Sequence, residues 1–273
     1  MKKKILGLIP VRLNSSRLNQ KPLLLIKKIP LIIHTYRRAK LSKKLDELII
    51  CCDDKKIFDV AKKFKAKAIL TSKKHKNGTE RINEAYLKIK KKYDLIIDIQ
   101  GDEPLINPEQ IDQVIDFHLK NQDVEIILPS LRLKNISSYN VVKVVVDAKD
   151  NILYLSRSKI PHNFNKNSDY YLKHLSIISF KPNALSKFSL HPQTRLEKIE
   201  GIELLRAIEM GLKVKTTIIK GNSFSVDIKE DFIIIEGFVW TVTGIEDEYP
   251  TEHTWIKFND GTLFDPSIDQ FDK

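Results

Sequence analysis

Cysteine is nearly absent, with two among 273 residues. They are adjacent, Cys51 and Cys52, so their Cα atoms stand about 3.8 Å apart across a trans peptide, too close for an ordinary disulfide. A chain of this length buries enough surface to need no covalent staple, and a reducing, cytoplasmic setting is the expectation. Glycine is also scarce, at nine residues, and none lies in the polar segment after the first apolar run, which excludes a Walker-type phosphate loop there. Long apolar stretches are missing. The run after Met1-Lys2-Lys3-Lys4 is ended by Pro10, too soon for a signal peptide, and no stretch reaches membrane-spanning length, so no membrane partner is expected. Zinc-finger spacing, RNP-like runs and basic stripes interleaved with aromatics are absent too, and no nucleic-acid partner is expected. What abounds is lysine. The net charge of +12 implies a solvated basic surface that steers anionic small molecules.

Hydrophobic patterning predicts alternating strands and helices up to about residue 150. Strands are expected at 4–10, 47–52, 67–70, 95–97, 126–131 and 141–146, and helices at 30–41, from Asp53-Asp54 to about 64, from a Thr79 cap to Tyr93, and at 108–118. Alternation of this kind argues for a doubly wound, mostly parallel sheet. The β-branched run Val141 to Val146 is expected to be buried on both faces. The pattern then breaks. Strands around 152–162 and 174–180, joined by a polar loop, predict an antiparallel excursion. A helix over Arg195–Gly211 has its apolar residues on one face and Glu197, Glu200 and Glu203 toward solvent, and a last strand spans 213–219. Asn259-Asp260-Gly261 between apolar alternations predicts a hairpin in the tail.

Three positions in this frame carry candidate chemistry. Gln100-Gly101-Asp102-Glu103-Pro104 follows a buried strand, so Asp102 falls at a carboxyl strand end, where open α/β sheets bind ligands. A carboxylate there suits a metal ion on phosphates. The segment 11–23 supplies Arg12, Arg17 and Lys21 directly after the first strand, which is polyphosphate chemistry. Gly78 permits close backbone approach by a ligand. Two further features are read as ordinary, Asp53-Asp54 as a helix cap and His75 as a surface residue, while Asp227 by itself is explained as well by capping as by metal binding. In the tail, His253 and Asp265 have no cysteine near them, so a packing extension is expected rather than catalysis.

These segments in this order resemble the 3-deoxy-manno-octulosonate cytidylyltransferase (CMP-KDO synthetase) family over residues 4–232. The matching residues are Ile9-Pro10-Val11-Arg12, Ser15, Arg17-Leu18 and Lys21-Pro22-Leu23; Gly78-Thr79-Glu80-Arg81; Gln100 to Pro104; Asn140 to Asp147; Ser156-Arg157 and Ile160-Pro161; His174; Leu196-Glu197, Glu200 and Leu204-Leu205-Arg206; and Val226-Asp227 with Glu230-Asp231.

The resemblance implies a Rossmann-like nucleotidyltransferase fold with an antiparallel lid or dimerisation excursion at about 151–195. It implies a catalytic domain over 1–232, leaving 233–273 as an atypical β-hairpin extension. The implied reaction transfers CMP from CTP to an eight-carbon acidic sugar with release of pyrophosphate, Mg²⁺ as cofactor and a homodimer as the assembly. Residue by residue, it implies Arg12, Lys21 and Asp102 as catalytic. Pro10, Ser15, Arg17, Gly78, Arg81 and Gln100 join Arg12 and Lys21 around the nucleotide. Gln100, Arg157, His174, Glu197 and Glu200 fall around the sugar, and Asp102 with Asp227 on the metal. Departures from the family pattern at Ser176, Ile178, Lys198, Ser225 and Ile228 cluster on the sugar and second-ligand side. A related sugar such as an amino-substituted octulosonate, or a non-catalytic nucleotide-sugar binder, therefore stands as an alternative.

Overall fold

A computed structural model describes residues 2–14, 18–134, 139–165, 170–221 and 225–226, and the backbone at 256–257 and 263–264. The expected alternation is present in its first half. Strands β1 (Ile5–Val11) and β6 (Leu95–Ile99) are buried at every position, and β4 (Glu47–Cys52) at all but its first, as parallel strands covered on both faces require. The order β5-β4-β1-β6, with β5 at Ala68–Leu70, is parallel throughout. A short ribbon, β2 (Leu25–Ile26) with β3 (Ile29–Pro30), precedes helix α1 (Leu31–Ala39). Helices α2 (Lys55–Lys63), α3 (Gly78–Ile89) and α4 (Pro108–Lys120) form the other crossovers. Cys51 and Cys52 are both free and buried.

Beyond β6 the strands of the excursion join the same sheet, antiparallel to their neighbours. The expected strand at 174–180 is two strands, β10 (Tyr171–His174) and β11 (Ile177–Phe180). β11 inserts between β6 and β7 (Ile126–Leu133) and runs antiparallel to both. β10 pairs with β7 and with β8 (Lys143–Val146), and β9 (Ile152–Ser156) forms that edge. Because β8 lies toward the edge, Val145 and Val146 are only half-buried, a correction to the expectation of burial on both faces. β12 (Val214–Ile218) runs parallel to β7, completing a ten-stranded sheet.

The chain after β11 also differs from its pattern. Helix α5 (Pro182–Leu190) packs Ala184, Leu185 and Phe188 into the core. The predicted single helix over 195–211 is two, α6 (Arg195–Glu200) and α7 (Leu205–Glu209), because Gly201 takes φ +64° and caps the first. The apolar face spans both pieces, so periodicity alone did not show the break. In the tail, β13 (Ile256–Lys257) pairs antiparallel with β14 (Leu263–Phe264) across the Asn-Asp-Gly segment, as expected for a hairpin.

Two apolar layers sandwich the sheet. Ile9, Ile32, Ile50 and Ile97 belong to one, and Leu6, Leu8, Ile96, Phe180 and Phe188 to the other. β1 and β6, the strands that carry the site, lie in the middle of this core, so their carboxyl ends are held by packing on both sides. No helix among the described residues is long and apolar enough to cross a membrane.

Candidate active site

A cavity of about 470 Å³ opens at the carboxyl ends of β1 and β6. Its wall draws on four parts of the chain: Pro10 to Arg12 with Lys21 and Pro22, His75 to Gly78 with Arg81, Gln100 to Asp102, and Arg157 with Gly201 and Glu203. The topology explains the convergence. Neighbouring parallel strands end at one level, and α3 begins there with its first turn facing the cavity.

On the cationic side, Lys21 follows a residue in the left-handed conformation, Gln20 at φ 49°, at the start of a short 3-10 turn. Its ammonium donates to Asp102 Oδ2 at 2.8 Å and to the Val226 carbonyl at 2.6 Å. Arg12 is exposed toward the cavity mouth. Asp53 ties this loop down: it accepts the Leu13 N–H at 2.9 Å and meets Arg81 at 3.4 Å. The expected shared cap is thereby corrected, because only Asp54 caps α2, through Lys56 N–H at 2.9 Å. Arg81 also donates to the Thr71 hydroxyl at 2.7 Å, bracing the start of α3 while lining the cavity.

The α3 cap is Asn77 rather than Thr79, since Asn77 accepts the Glu80 N–H at 2.8 Å. Gly78 opens the helix against Pro10; a Cβ there would lie 3.2 Å from Pro10 Cγ. His75, expected on the surface, instead lines the cavity, half-buried against the Glu84 carboxylate. Glu84 also takes the Ser72 N–H and Lys88. Burial raises its pKa and these partners more than offset that, holding the carboxyl at about 2.

Asp102 presents a partly exposed carboxylate. The described residues hold no group of three or more histidine, cysteine or acidic side chains able to bind a metal, so the described part is no all-protein cage. Mg²⁺ takes one or two carboxylates and completes its shell with substrate phosphates and water, which this donor set fits. The Val226 N–H donates to the Asp102 carbonyl at 2.9 Å, so the residue preceding Asp227 is tied to Asp102. Asp227 itself, like Ser15 and Arg17, lies outside the described residues.

The sugar-side candidates divide. Arg157 reaches the cavity, its guanidinium held by the carbonyls of Glu200 at 3.0 Å, Tyr139 at 3.2 Å and Gly201 at 3.3 Å. Glu200 is not among the lining residues. It accepts from the Ser156 hydroxyl at 2.7 Å and the Arg157 N–H at 3.0 Å, so it shapes the Arg157 backbone. Glu197 is buried and pairs with Arg206 Nε at 2.8 Å and Nη2 at 2.6 Å. His174, half-buried on β10, does not line the cavity, and burial with help from Lys173 and Arg157 lowers its pKa to about 4. Ile178, where the family pattern has a tyrosine, is packed in the apolar core.

Glu203 was expected to face solvent with Glu197 and Glu200, and the fold corrects all three. The Gly201 turn swings Glu203 into the cavity wall, where its Oε2 is buried with no hydrogen-bond partner among the described residues. Burial raises this carboxyl to about 7, against opposition from the Thr79 hydroxyl and N–H and from Arg206. Its signal in sequence was slight, a glycine two residues upstream and apolar neighbours on both sides.

A strand-end carboxylate, a cationic loop and a helix N-terminus around one cavity define an α/β protein built to take a polyphosphate. Similarity to known proteins gives the class. Residues 6–216 match the family model described as cytidylyltransferase. The 3-deoxy-manno-octulosonate cytidylyltransferase of Thermodesulfovibrio yellowstonii is 41% identical over 84% of this chain and 95% of its own length. The 8-amino-3,8-dideoxy-manno-octulosonate cytidylyltransferase of Shewanella frigidimarina is 37% identical over 84% and 95%. A solved CMP:2-keto-3-deoxy-manno-octonic acid synthetase complexed with CTP superposes with a TM-score of 0.80 at 30% identity, covering 86% of this chain and 98% of that one. The chain belongs to the cytidylyltransferase family, among the 3-deoxy-manno-octulosonate cytidylyltransferases.

Proposed function

We propose that this enzyme transfers CMP from CTP to the anomeric hydroxyl of 3-deoxy-manno-octulosonate (KDO), releasing pyrophosphate, and that it serves lipopolysaccharide or surface polysaccharide synthesis as a cytoplasmic homodimer. The observation that carries this is the shared cavity: Arg12, Lys21 and Asp102 on one side, Arg157 and Glu203 on the other. The reaction is an in-line displacement. The sugar oxygen bonds to the α-phosphorus, the bond from that phosphorus to the bridging oxygen breaks with its electron pair leaving on pyrophosphate, and the hydroxyl proton passes to solvent. Positioning and charge neutralisation dominate such transfers.

Arg12 and Lys21 bind the triphosphate and offset charge on the departing pyrophosphate. The start of α3 adds a backbone N–H and a favourable dipole. Arg157 takes the sugar carboxylate, since a guanidinium binds both oxygens at once, and Glu203 accepts from a sugar hydroxyl. Asp102, with Asp227, would hold Mg²⁺, which supplies charge on the phosphates and lowers the pKa of the attacking hydroxyl. Gln100, Gly78 and Arg81 border the nucleotide.

Pyrophosphate release with CTP, Mg²⁺ and KDO tests the proposal, with the 8-amino sugar assayed in parallel because a relative of that name is nearly as similar. Turnover with KDO at the higher kcat/KM is expected. Preference for the amino sugar would reassign the substrate, and no release with any acidic sugar would overturn the function.

A further inference from the structure

One buried carboxyl at the site has no part in this chemistry. Asp98 lies on β6 with no exposed surface, two residues before Gln100 and therefore on the same side of the strand. Both of its oxygens stand 3.1 Å from Gln100 Nε2, and no other hydrogen-bond partner of this carboxyl is seen among the described residues. Gln100 itself lines the cavity. A primary amide has a donor end and an acceptor end. When the NH₂ end is taken from below, the carbonyl oxygen is the end left for a ligand.

We infer that Asp98 is a positioning residue, fixing the Gln100 amide so that its carbonyl oxygen is presented to a hydrogen-bond donor of the bound reactants. The inference rests on the proposed function for the identity of those reactants, but not for the Asp98–Gln100 contact. The charged groups that act on Asp98 are Glu203 from the turn before α7 and Asp102 beyond the strand end, with Cys51 of β4 as the neighbouring thiol. Burial and these acids hold the carboxyl well above its usual range. The pairing survives protonation, because a neutral acid keeps a carbonyl oxygen for the same N–H. An asparagine would keep that acceptor as well. Leucine, with the same branched heavy-atom skeleton but no acceptor, would not.

The test compares Asp98→Asn and Asp98→Leu in the full chain. Isothermal titration with CTP and Mg²⁺ gives nucleotide affinity, steady-state kinetics give the sugar KM, and side-chain ¹⁵N spectra report exchange of the Gln100 NH₂ protons. The expected result is that Asp98→Leu speeds amide-proton exchange at least tenfold and weakens nucleotide affinity or raises the sugar KM about tenfold. Asp98→Asn should stay within twofold of wild type in all three. Wild-type exchange, affinity and KM in Asp98→Leu would overturn the inference, as would equal losses in both variants. If the wild type binds no CTP, the proposed function fails, while the exchange measurement still decides the Asp98 contact.

Discussion

Removing Glu197 should cost stability and spare the sugar site, the reverse of what its place in the family pattern implies. Its carboxylate is 4% exposed and faces an Arg206 guanidinium that is fully buried. Beyond Glu197, Arg206 meets Glu80 Oε1 at 3.3 Å, donates to the carbonyls of Phe188 at 3.2 Å and His191 at 3.1 Å, and lies 4.4 Å from the Phe188 ring centroid. Truncating one partner of a buried pair leaves an uncompensated charge, at about 3–5 kcal/mol. Because Glu80 remains, the lower end applies to Glu197→Ala, about 3 kcal/mol, which for a domain of this size lowers Tm by roughly 6–12 °C. The pH dependence follows from the same geometry. Burial alone would raise the Glu197 carboxyl, Arg206 more than offsets it, and the net shift is downward. The pair therefore contributes fully at neutral pH and is lost as pH falls through the lowered value, so wild type and variant should converge on acidification. Calorimetric melts at pH 7 and at acid pH measure the stability, and kinetics well below both Tm values measure the sugar KM. A variant that melts with wild type and shows a raised sugar KM would refute the structural role.

Lys21→Met removes the ammonium that bridges Asp102 and the Val226 carbonyl; affinity for CTP with Mg²⁺ should fall at least tenfold by titration calorimetry, a loss in keeping with about 1.5–3 kcal/mol for a charged hydrogen bond. Gly101→Ala would place a Cβ 3.1 Å from the Pro10 carbonyl and 3.1 Å from Ile32 Cδ1, overpacking the strand end at about 1–3 kcal/mol; kcat/KM should drop while circular dichroism keeps the native spectrum. Glu203→Gln addresses the carboxyl held at about 7. A raised acid destabilises the fold progressively as pH rises from its unfolded value toward its folded one, so the variant should gain Tm relative to wild type at pH 8 but not at pH 4.

Position along the chain accounts for which site residues were legible. Arg12, Lys21, Gly78 and Asp102 all follow strands or open helices near the carboxyl edge of the sheet, and local pattern is enough to place such residues at one end. Glu197, Glu200 and Glu203 sit three residues apart in one acidic, amphipathic stretch, and nothing local separates them. Their partners do: Arg206 on the next helix, Arg157 on the loop after β9, and the cavity itself. Asp53 and Asp54 are likewise equivalent as candidate caps, until the β1 loop arrives to claim the first.

Sequence alone determined the alternation of strands and helices, the unbridged pair Cys51 and Cys52, the tail hairpin and the strand-end carboxylate, because each depends on periodicity, composition or turn chemistry within a few residues. Tertiary structure decided the insertion of β11 between β6 and β7, the break at Gly201, and the division of labour among the acids. Those outcomes are set by pairing and burial between segments far apart in the chain, where a carboxylate's role depends on the cation or the cavity it meets.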